Sequence, residues 1–283
     1  MDKKITEQLE IMSVAYDTIS EIRNKDGVLV CRMTYGDKSF VLKYFEKVEY
    51  RREIEIYRIL RSLEIPTIQL IAQTDSALLM EDVEQSSVWR LSTAKDLEDP
   101  EIAVQIAAWY KKLHEKGRAF VASYGGALYD ENDALTLDNI EFIKAKTVTD
   151  DNPVWDMLAE KFPIINERLE QAERTLTYND FYYTNLIVAK DKFAAFMFDY
   201  NMLGKGYVYS DIRNVCSSLG ETAKAAFLSA YGDYKMEEVI LDDVANVIVS
   251  LYFACTKDVL PMWAQALVDE IKSGKFAKAV MKF

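Results

Sequence analysis

Three oxygen-bearing side chains near residue 190 have types and spacing that could support phosphoryl transfer. Asp180 and Asn185 form a D-x-x-x-x-N pattern, and Asp199 follows at the end of the run "FMFDY". In phosphoryl transfer one carboxylate accepts the proton of the attacking hydroxyl. An amide oxygen and a second carboxylate can hold the magnesium ion that neutralises phosphate charge. Asp180 is therefore a candidate base, and Asn185 and Asp199 are candidate magnesium ligands.

The segment between these side chains predicts a β-hairpin. Apolar runs at residues 186–189 and 193–198 flank the polar turn "KDK". If that turn is centred between its second and third residues, Asn185 pairs with Phe198, and Asp199 lies beside it. A D-x-x-x-x-N match also arises by chance, because Asp and Asn both favour turns and helix caps. The hairpin and Asp199 together favour the catalytic interpretation.

The elements that would position the hairpin fall into two regions, which predicts an α+β chain. Three β-type runs fill residues 17–45, an amphipathic helix that Pro66 ends follows them, and two strands come next. After Asp99-Pro100 a helix runs to a stop at Gly117. The hairpin is expected to be the single strand interruption in the helical region that follows Val83. The later helices are expected at 137–146, 153–171, 210–232, 236–256 and 260–272. We expect a small β-rich N-terminal lobe over residues 1–83 and a larger helical lobe over residues 84–283.

The motif segment resembles a known family. "YNDFYYTNLIV" followed by "FMFDY" is similar to the catalytic loop and metal-binding aspartate of aminoglycoside phosphotransferases and related choline-kinase-like small-molecule kinases. The resemblance runs from about Ile19 to Gly232, and its specific motifs lie between Thr177 and Asp211. It implies the bilobal protein-kinase-like fold, with a nucleotide-binding N-terminal lobe and a catalytic and substrate-binding C-terminal lobe.

The resemblance also assigns a lysine and a glutamate. Lys43 in "SFVLKYF" stands where the family keeps a lysine for the α- and β-phosphates. A single lysine in a strand is more often an exposed charge at a sheet edge. The resemblance to the family favours the phosphate-binding role instead. Its partner should be a glutamate on the following helix, for which Glu53 is better placed than Glu49 or Glu55. Each of the three could instead be a solvated helix charge.

The segment "ALLMEDV" is similar to the hinge between the lobes of this family. Met80 would then lie behind the adenine, and backbone groups from Glu81 to Val83 would hydrogen-bond its edge. An ordinary buried strand that ends in acidic residues would account for the apolar part equally well.

Several positions depart from the family pattern or allow two roles. Tyr178 stands where the family usually has a histidine, and Gly27 is the single glycine of the expected phosphate loop. Asp211 matches a structural aspartate that opens a helix, although it could be a plain N-cap with Ser210 as a competitor. His114 is the only histidine of the chain and is expected to be structural.

Composition limits the partners. Thirty-four basic and 46 acidic residues give a net charge of −12, which argues against nucleic acid as a partner. The three cysteines are far apart in sequence, as is typical of a reduced cytosolic protein. The segment "MDKKITEQLEIMS" has no sustained apolar run, and the late apolar segment is too short to span a bilayer. We therefore expect a cytoplasmic protein with no membrane partner. We expect a monomer or weak dimer.

The resemblance implies an ATP- and magnesium-dependent kinase that phosphorylates a hydroxyl of a small, cationic molecule. An aminoglycoside-like acceptor is favoured, and choline, ethanolamine or another amino alcohol stays open. The alternatives are a nucleotide-binding pseudokinase module without turnover, which the missing histidine and glycine loop motivate, and an α+β scaffold without a nucleotide site.

Overall fold

The computed structural model describes residues 3–283, which form a mixed α+β structure with an antiparallel sheet in the N-terminal region and a helical C-terminal part. The strands are β1 Thr18–Lys25, β2 Val28–Tyr35, β3 Lys38–Phe45, β4 Leu70–Gln73, β5 Ala77–Glu81, β6 Trp89–Leu91, β7 Thr175–Thr177, β8 Leu186–Ala189, β9 Ala195–Met197 and β10 Gly204–Gly206. The helices are α1 Lys3–Ile11, α2 Arg52–Ser62, α3 Pro100–Ser123, α4 Leu137–Thr147, α5 Val154–Gln171, α6 Val208–Cys216, α7 Glu221–Tyr231, α8 Met236–Cys255, α9 Met262–Lys272 and α10 Lys275–Val280. None of the helices in this range is long and apolar enough to cross a membrane.

The chain divides into two compact units. The first contains the residues up to Leu113 with Asp180–Leu203 and Val215–Gly232, and the second contains His114–Asn179, Gly204–Asn214 and Asp233–Phe283.

The first unit is built on a five-stranded antiparallel sheet with the order β1-β2-β3-β5-β4. Successive side chains of a strand point to opposite faces. On β3, Leu42 and Tyr44 therefore pack into one core with Ile5 and Leu9 of α1. Lys43, between them in sequence, faces the other side of the sheet, where it lines a cavity.

A second, three-stranded sheet in the same unit has the order β6-β8-β9. Its β8-β9 pair is the predicted hairpin, and β6 is a strand that the sequence did not reveal. Trp89 of β6 packs edge-to-face on Phe196 of β9, with their ring centroids 4.9 Å apart. This contact adds to the antiparallel pairing that holds β6 beside β8 of the hairpin.

The second unit is mainly helical. Its core joins α4, α5, α8, α9 and α10 through side chains such as Ile143, Trp155, Ile248, Val268 and Phe276, each at most 3 % exposed. Each aliphatic side chain buried to this degree contributes about 1.5–3 kcal/mol. The apolar run 244–255 is part of α8, as expected from its length, and the short strands β7 and β10 pair antiparallel.

Two predictions, on the end of α3 and on the number of later strands, are wrong. Helix α3 does not stop at Gly117 but continues to Ser123. A Cβ at Gly117 would lie 2.6 Å from the Leu176 nitrogen, so this glycine permits the close approach of β7 rather than ending a helix. The hairpin is not the single strand interruption, because β6, β7 and β10 also follow Val83.

The predicted helix at 210–232 is in fact two helices, α6 and α7, separated before Gly220. The Gly220 amide donates to the Leu97 carbonyl at 3.0 Å. A Cβ at this position would lie 1.7 Å from a carboxylate oxygen of Glu98. At this break the backbone contacts Leu97 and Glu98 so closely that the position requires a glycine.

The three cysteines carry free thiols, as expected. Cys31 and Cys255 are buried and Cys216 is half-buried.

Candidate active site

The β8-β9 hairpin has the predicted register. Leu186 pairs with Met197 and Ile187 pairs with Phe196. The Phe198 amide donates to the Asn185 carbonyl at 2.9 Å, which extends the pairing by one step. Asn185 and Asp199 are thereby brought to the same end of the hairpin.

Asp180 is tied to Asn185 by the amide side chain. Asn185 Nδ2 donates to Asp180 Oδ2 at 2.9 Å and to the Asp180 carbonyl at 3.2 Å. A short 3₁₀ turn, Tyr183–Asn185, provides the backbone geometry for this return contact. Because the amide nitrogen is used in this way, the Asn185 Oδ1 remains the atom of this side chain that could ligate a cation.

Asp199 follows the hairpin in an uncommon backbone conformation. Its φ is 60°, in the left-handed region that non-glycine residues seldom adopt. Its Oδ1 accepts from Asn201 Nδ2 at 2.7 Å and from Lys43 Nζ at 2.9 Å. Such strained residues persist where the surroundings hold them, and they concentrate at functional sites.

Lys43 is paired with Glu53, the glutamate favoured from the sequence. The Lys43 Nζ lies 2.6 Å from Glu53 Oε2, and the two side chains are 10 % and 1 % exposed. Helix α2 presents Glu53 in its first turn, after the 3₁₀ turn Val48–Arg51 that leads from β3. The lysine therefore lies between two carboxylates, those of Glu53 and Asp199.

Burial and charge shift the pKa values of this cluster. Burial by itself lowers the pKa of Lys43, but Glu53 and Asp199 outweigh it, so the lysine pKa lies above its usual value. Burial raises the pKa of Glu53 to about 7, against the opposing effect of Lys43. Burial also raises the pKa of Asp180, and the nearby Asp199 adds to that shift.

A cavity of about 490 Å³ opens beside this cluster, within the range of ligand pockets. Its walls include Lys43, Glu53, Asn185 and Asp199. The apolar surface comes from side chains of the five-stranded sheet and the segment around it, among them Val28, Val30, Val41, Ile68, Met80 and Val83.

The predicted hinge residues Met80, Glu81 and Val83 all line the cavity. Met80 Sδ lies 3.5 Å from the Tyr57 hydroxyl, which holds the thioether in place. The Glu81 amide already donates to the Gln69 carbonyl at 3.0 Å, so that donor is engaged within the protein.

Sequence reasoning missed the ion pair that holds the predicted hinge segment. Asp82 has a side chain that is 1 % exposed, and its Oδ2 accepts from Arg32 Nε at 2.7 Å and from Ser39 Oγ at 2.6 Å. Arg32 also binds Glu84. The acidic residue at the end of an apolar strand could have indicated a buried ion pair. Its partner could not be predicted, because Arg32 lies fifty residues away in sequence, on β2.

The segment before Asp180 is held inside the second unit by Asp211. The Tyr178 and Asn179 amides donate to its two carboxylate oxygens at 2.8 and 2.9 Å. His114 Nε2 lies 3.0 Å from Asp211 Oδ2 and is fully buried, as expected for a structural histidine. Helix α6 already begins at Val208, so the N-cap interpretation of Asp211 is wrong.

Comparison with known proteins identifies the family. The model of the APH phosphotransferase enzyme family matches residues 19–239. No curated protein matches the chain.

Solved structures share its fold at low sequence identity. Choline kinase LicA from Streptococcus pneumoniae has a TM-score of 0.66 at 11 % identity, covering 99 % of both chains. Macrolide 2'-phosphotransferase MphH from Brachybacterium faecium has a TM-score of 0.57 at 14 % identity, covering 99 % of this chain and 97 % of that one. The streptomycin–ATP–APH(2")-IIa ternary complex has a TM-score of 0.55 at 18 % identity, covering 100 % and 96 %. The expected protein-kinase-like fold and enzyme class are thus confirmed, and the chain belongs to the phosphotransferase enzyme family.

Proposed function

We propose that this protein transfers the γ-phosphoryl group of ATP, in the presence of magnesium, to a hydroxyl of a small cationic acceptor. The observation that carries the proposal is the set of Lys43, Glu53, Asn185 and Asp199 lining a cavity large enough for a nucleotide, with Asp180 hydrogen-bonded to Asn185. The family match supports the reaction class, and one structural neighbour is a ternary complex with ATP and streptomycin.

The donor set fits magnesium. Magnesium prefers oxygen ligands and usually binds through one or two protein side chains together with phosphate oxygens and water. The carboxylate of Asp199 and the Oδ1 of Asn185 would supply the two protein ligands. Bound there, magnesium would neutralise phosphate charge.

The other residues would orient the reactants and move one proton. Lys43 would bind phosphate oxygens, and Glu53 would keep its ammonium in place. Asp180 would accept the hydroxyl proton as the acceptor oxygen bonds to the γ-phosphorus and the bond to ADP breaks. The hydrogen bond from Asn185 would keep the Asp180 carboxylate directed towards the acceptor. The hinge segment from Met80 to Val83 would hold the adenine.

Charge and the structural neighbours support the choice of a cationic acceptor. The net charge of −12 favours a cationic ligand. One structural neighbour is a choline kinase and another is a complex with streptomycin, and both of these small molecules carry positive charge. We favour an aminoglycoside-like acceptor, with choline, ethanolamine and other amino alcohols as further candidates.

The test is magnesium-dependent ATP consumption by the purified protein with a panel of amino sugars, choline, ethanolamine and neutral sugars. We expect consumption that depends on one of the cationic acceptors and stops when magnesium is chelated. A protein that binds ATP and magnesium but consumes no ATP with any acceptor would contradict the proposal.

A further inference from the structure

A second cavity lies wholly within the helical unit and shares no lining residue with the first. Its volume is about 370 Å³. Its walls come from the end of α3, the loop that follows it, the connection between α5 and β7, and strand β10. The lining residues that matter here are Arg118, Val121, Leu128, Glu173, Arg174 and Lys205.

Positive charge exceeds negative charge around this cavity. Lys205 has no carboxylate partner among residues 3–283. The guanidinium of Arg174 meets Asp130 only at 3.7 Å, beyond hydrogen-bond range, and its buried Nη1 has no hydrogen-bond partner within the described chain. Two cationic groups on this wall are therefore incompletely compensated.

The remaining charges do not cancel that excess. Arg118 lies 3.3 Å from Glu173, but Glu173 is shared with Lys235 at 2.9 Å. The hydrogen bond from Lys235, with Arg118 nearby, lowers the pKa of Glu173, so this group is an anion. Three cationic side chains and one anionic side chain thus line the cavity, an excess of two positive charges in a chain whose net charge is −12.

The backbone around the cavity is fixed. The Lys205 amide donates to the Tyr129 carbonyl at 2.7 Å, and Lys205 pairs with Leu176 across the β7-β10 ribbon. A Cβ at Gly204 would lie 2.0 Å from the Tyr129 oxygen, so glycine is needed for this approach. A site with fixed walls loses little conformational freedom when a ligand binds.

We propose that this cavity binds a small phosphomonoester. Arg118, Arg174 and Lys205 hold the phosphate, and its organic part contacts Val121 and Leu128. A phosphomonoester carries about −1.5 to −2 charges at neutral pH, which matches the local excess of two positive charges. Guanidinium groups also match the geometry of phosphate oxygens. The site is independent of the nucleotide cavity and of the proposed phosphoryl transfer.

The experiment titrates the full-length protein with inorganic phosphate and with phenyl phosphate, and follows backbone amide resonances by NMR. We expect saturable shifts at Gly126, Leu128 and Lys205 at millimolar ligand, with phenyl phosphate binding more tightly than inorganic phosphate and phenol causing no shift. Shifts confined to residues of the first cavity, or no saturable shifts, would overturn the proposal.

Variants separate this site from general charge effects. Lys205→Gln and Arg118→Gln should each weaken phenyl phosphate binding about tenfold, because each removes a charge-assisted hydrogen bond. Lys278→Gln makes the same charge change on α10, where the side chain is exposed and outside the cavity, and should leave the affinity within about twofold. Equal affinities for all three variants and the unmodified protein would overturn the assignment of the phosphate-binding residues.

Discussion

At the scale of single residues, the buried ion pairs of Lys43 are the feature whose removal should cost the most stability. Its side chain is 10 % exposed, and its Nζ lies within 2.9 Å of two carboxylates. Removing one partner of a buried ion pair costs far more than the pair contributes, because it leaves a charge without compensation. Glu53 is the group that would be left in this state, since its side chain is only 1 % exposed.

Lys43→Met should therefore destabilise the protein by about 3–5 kcal/mol near neutral pH. The folded-state pKa of Glu53, about 7, lies above its unfolded value, so the folded state loses stability as pH rises between these two values. Without Lys43 that pKa rises further, and the deficit of the variant should be larger at pH 8 than at pH 6. Urea unfolding at both pH values measures this difference.

Lys38→Met is the matched control, because Lys38 is exposed on the same strand. Its free energy of unfolding should stay within about 0.5 kcal/mol of the unmodified protein. If Lys43→Met shows an equally small change, or a deficit that shrinks as pH rises, our account of the buried pair is wrong.

At the scale of elements, two structural features position the residues of the candidate site. The hairpin β8-β9 sets Asn185 and Asp199 at one end, and the Asp211 carboxylate fixes the chain just before Asp180. The first was predictable from sequence, since two apolar runs around a polar turn allow few registers. The second was predictable only as a structural aspartate, since its amide partners lie more than thirty residues away.

Asp211→Asn should weaken the attachment of the segment before Asp180. An asparagine keeps one acceptor oxygen and places an NH₂ group against a backbone N–H or His114, so one buried donor loses its partner. The expected loss is about 1–3 kcal/mol of unfolding free energy. ATP turnover should fall with it, because the position of Asp180 depends on this segment. Thermal unfolding and steady-state kinetics measure the two effects.

Asp233→Asn provides the control, as Asp233 is exposed and lies outside the site. It should change neither property. Full stability in Asp211→Asn would show that the hydrogen bonds to Tyr178 and Asn179 are dispensable.

Sequence patterns did not predict the structure correctly where glycines or short strands contact parts of the chain that are distant in sequence. Gly117 looked like a helix stop, yet it permits contact with β7, and Gly220 divides a predicted single helix because Glu98 occupies the space of a side chain. The strands β6, β7 and β10 have three residues each, too short for an alternating pattern to appear. Local periodicity carries no information about such tertiary contacts.

At the scale of the whole molecule, the excess of acidic residues extends into positions partly shielded from solvent. Glu131 in the helical unit, whose side chain is half-buried, is an example. Burial raises its pKa to about 7, Arg213 opposes that shift, and Asp211 and Asp242 add to it. Its folded pKa thus exceeds its unfolded value, so the folded state is favoured when this carboxyl is protonated and loses stability as pH rises towards 7.

Glu131→Gln should remove that pH dependence. We expect the variant to gain stability relative to the unmodified protein as pH rises from 5 to 8, because the neutral amide needs no proton. Urea unfolding at pH 5, 6.5 and 8 measures the gain. A difference between the two proteins that does not change with pH would contradict the raised pKa of Glu131.

The most direct test of the central claim compares the unmodified protein with Asp180→Asn. The amide keeps an oxygen that can accept from Asn185 but cannot take the hydroxyl proton. We predict that magnesium-dependent ATP turnover with the best acceptor falls about 10²–10⁴-fold, while the dissociation constant for ATP changes little. Undiminished turnover in Asp180→Asn, at unchanged ATP affinity, would contradict the assignment of Asp180 as the base.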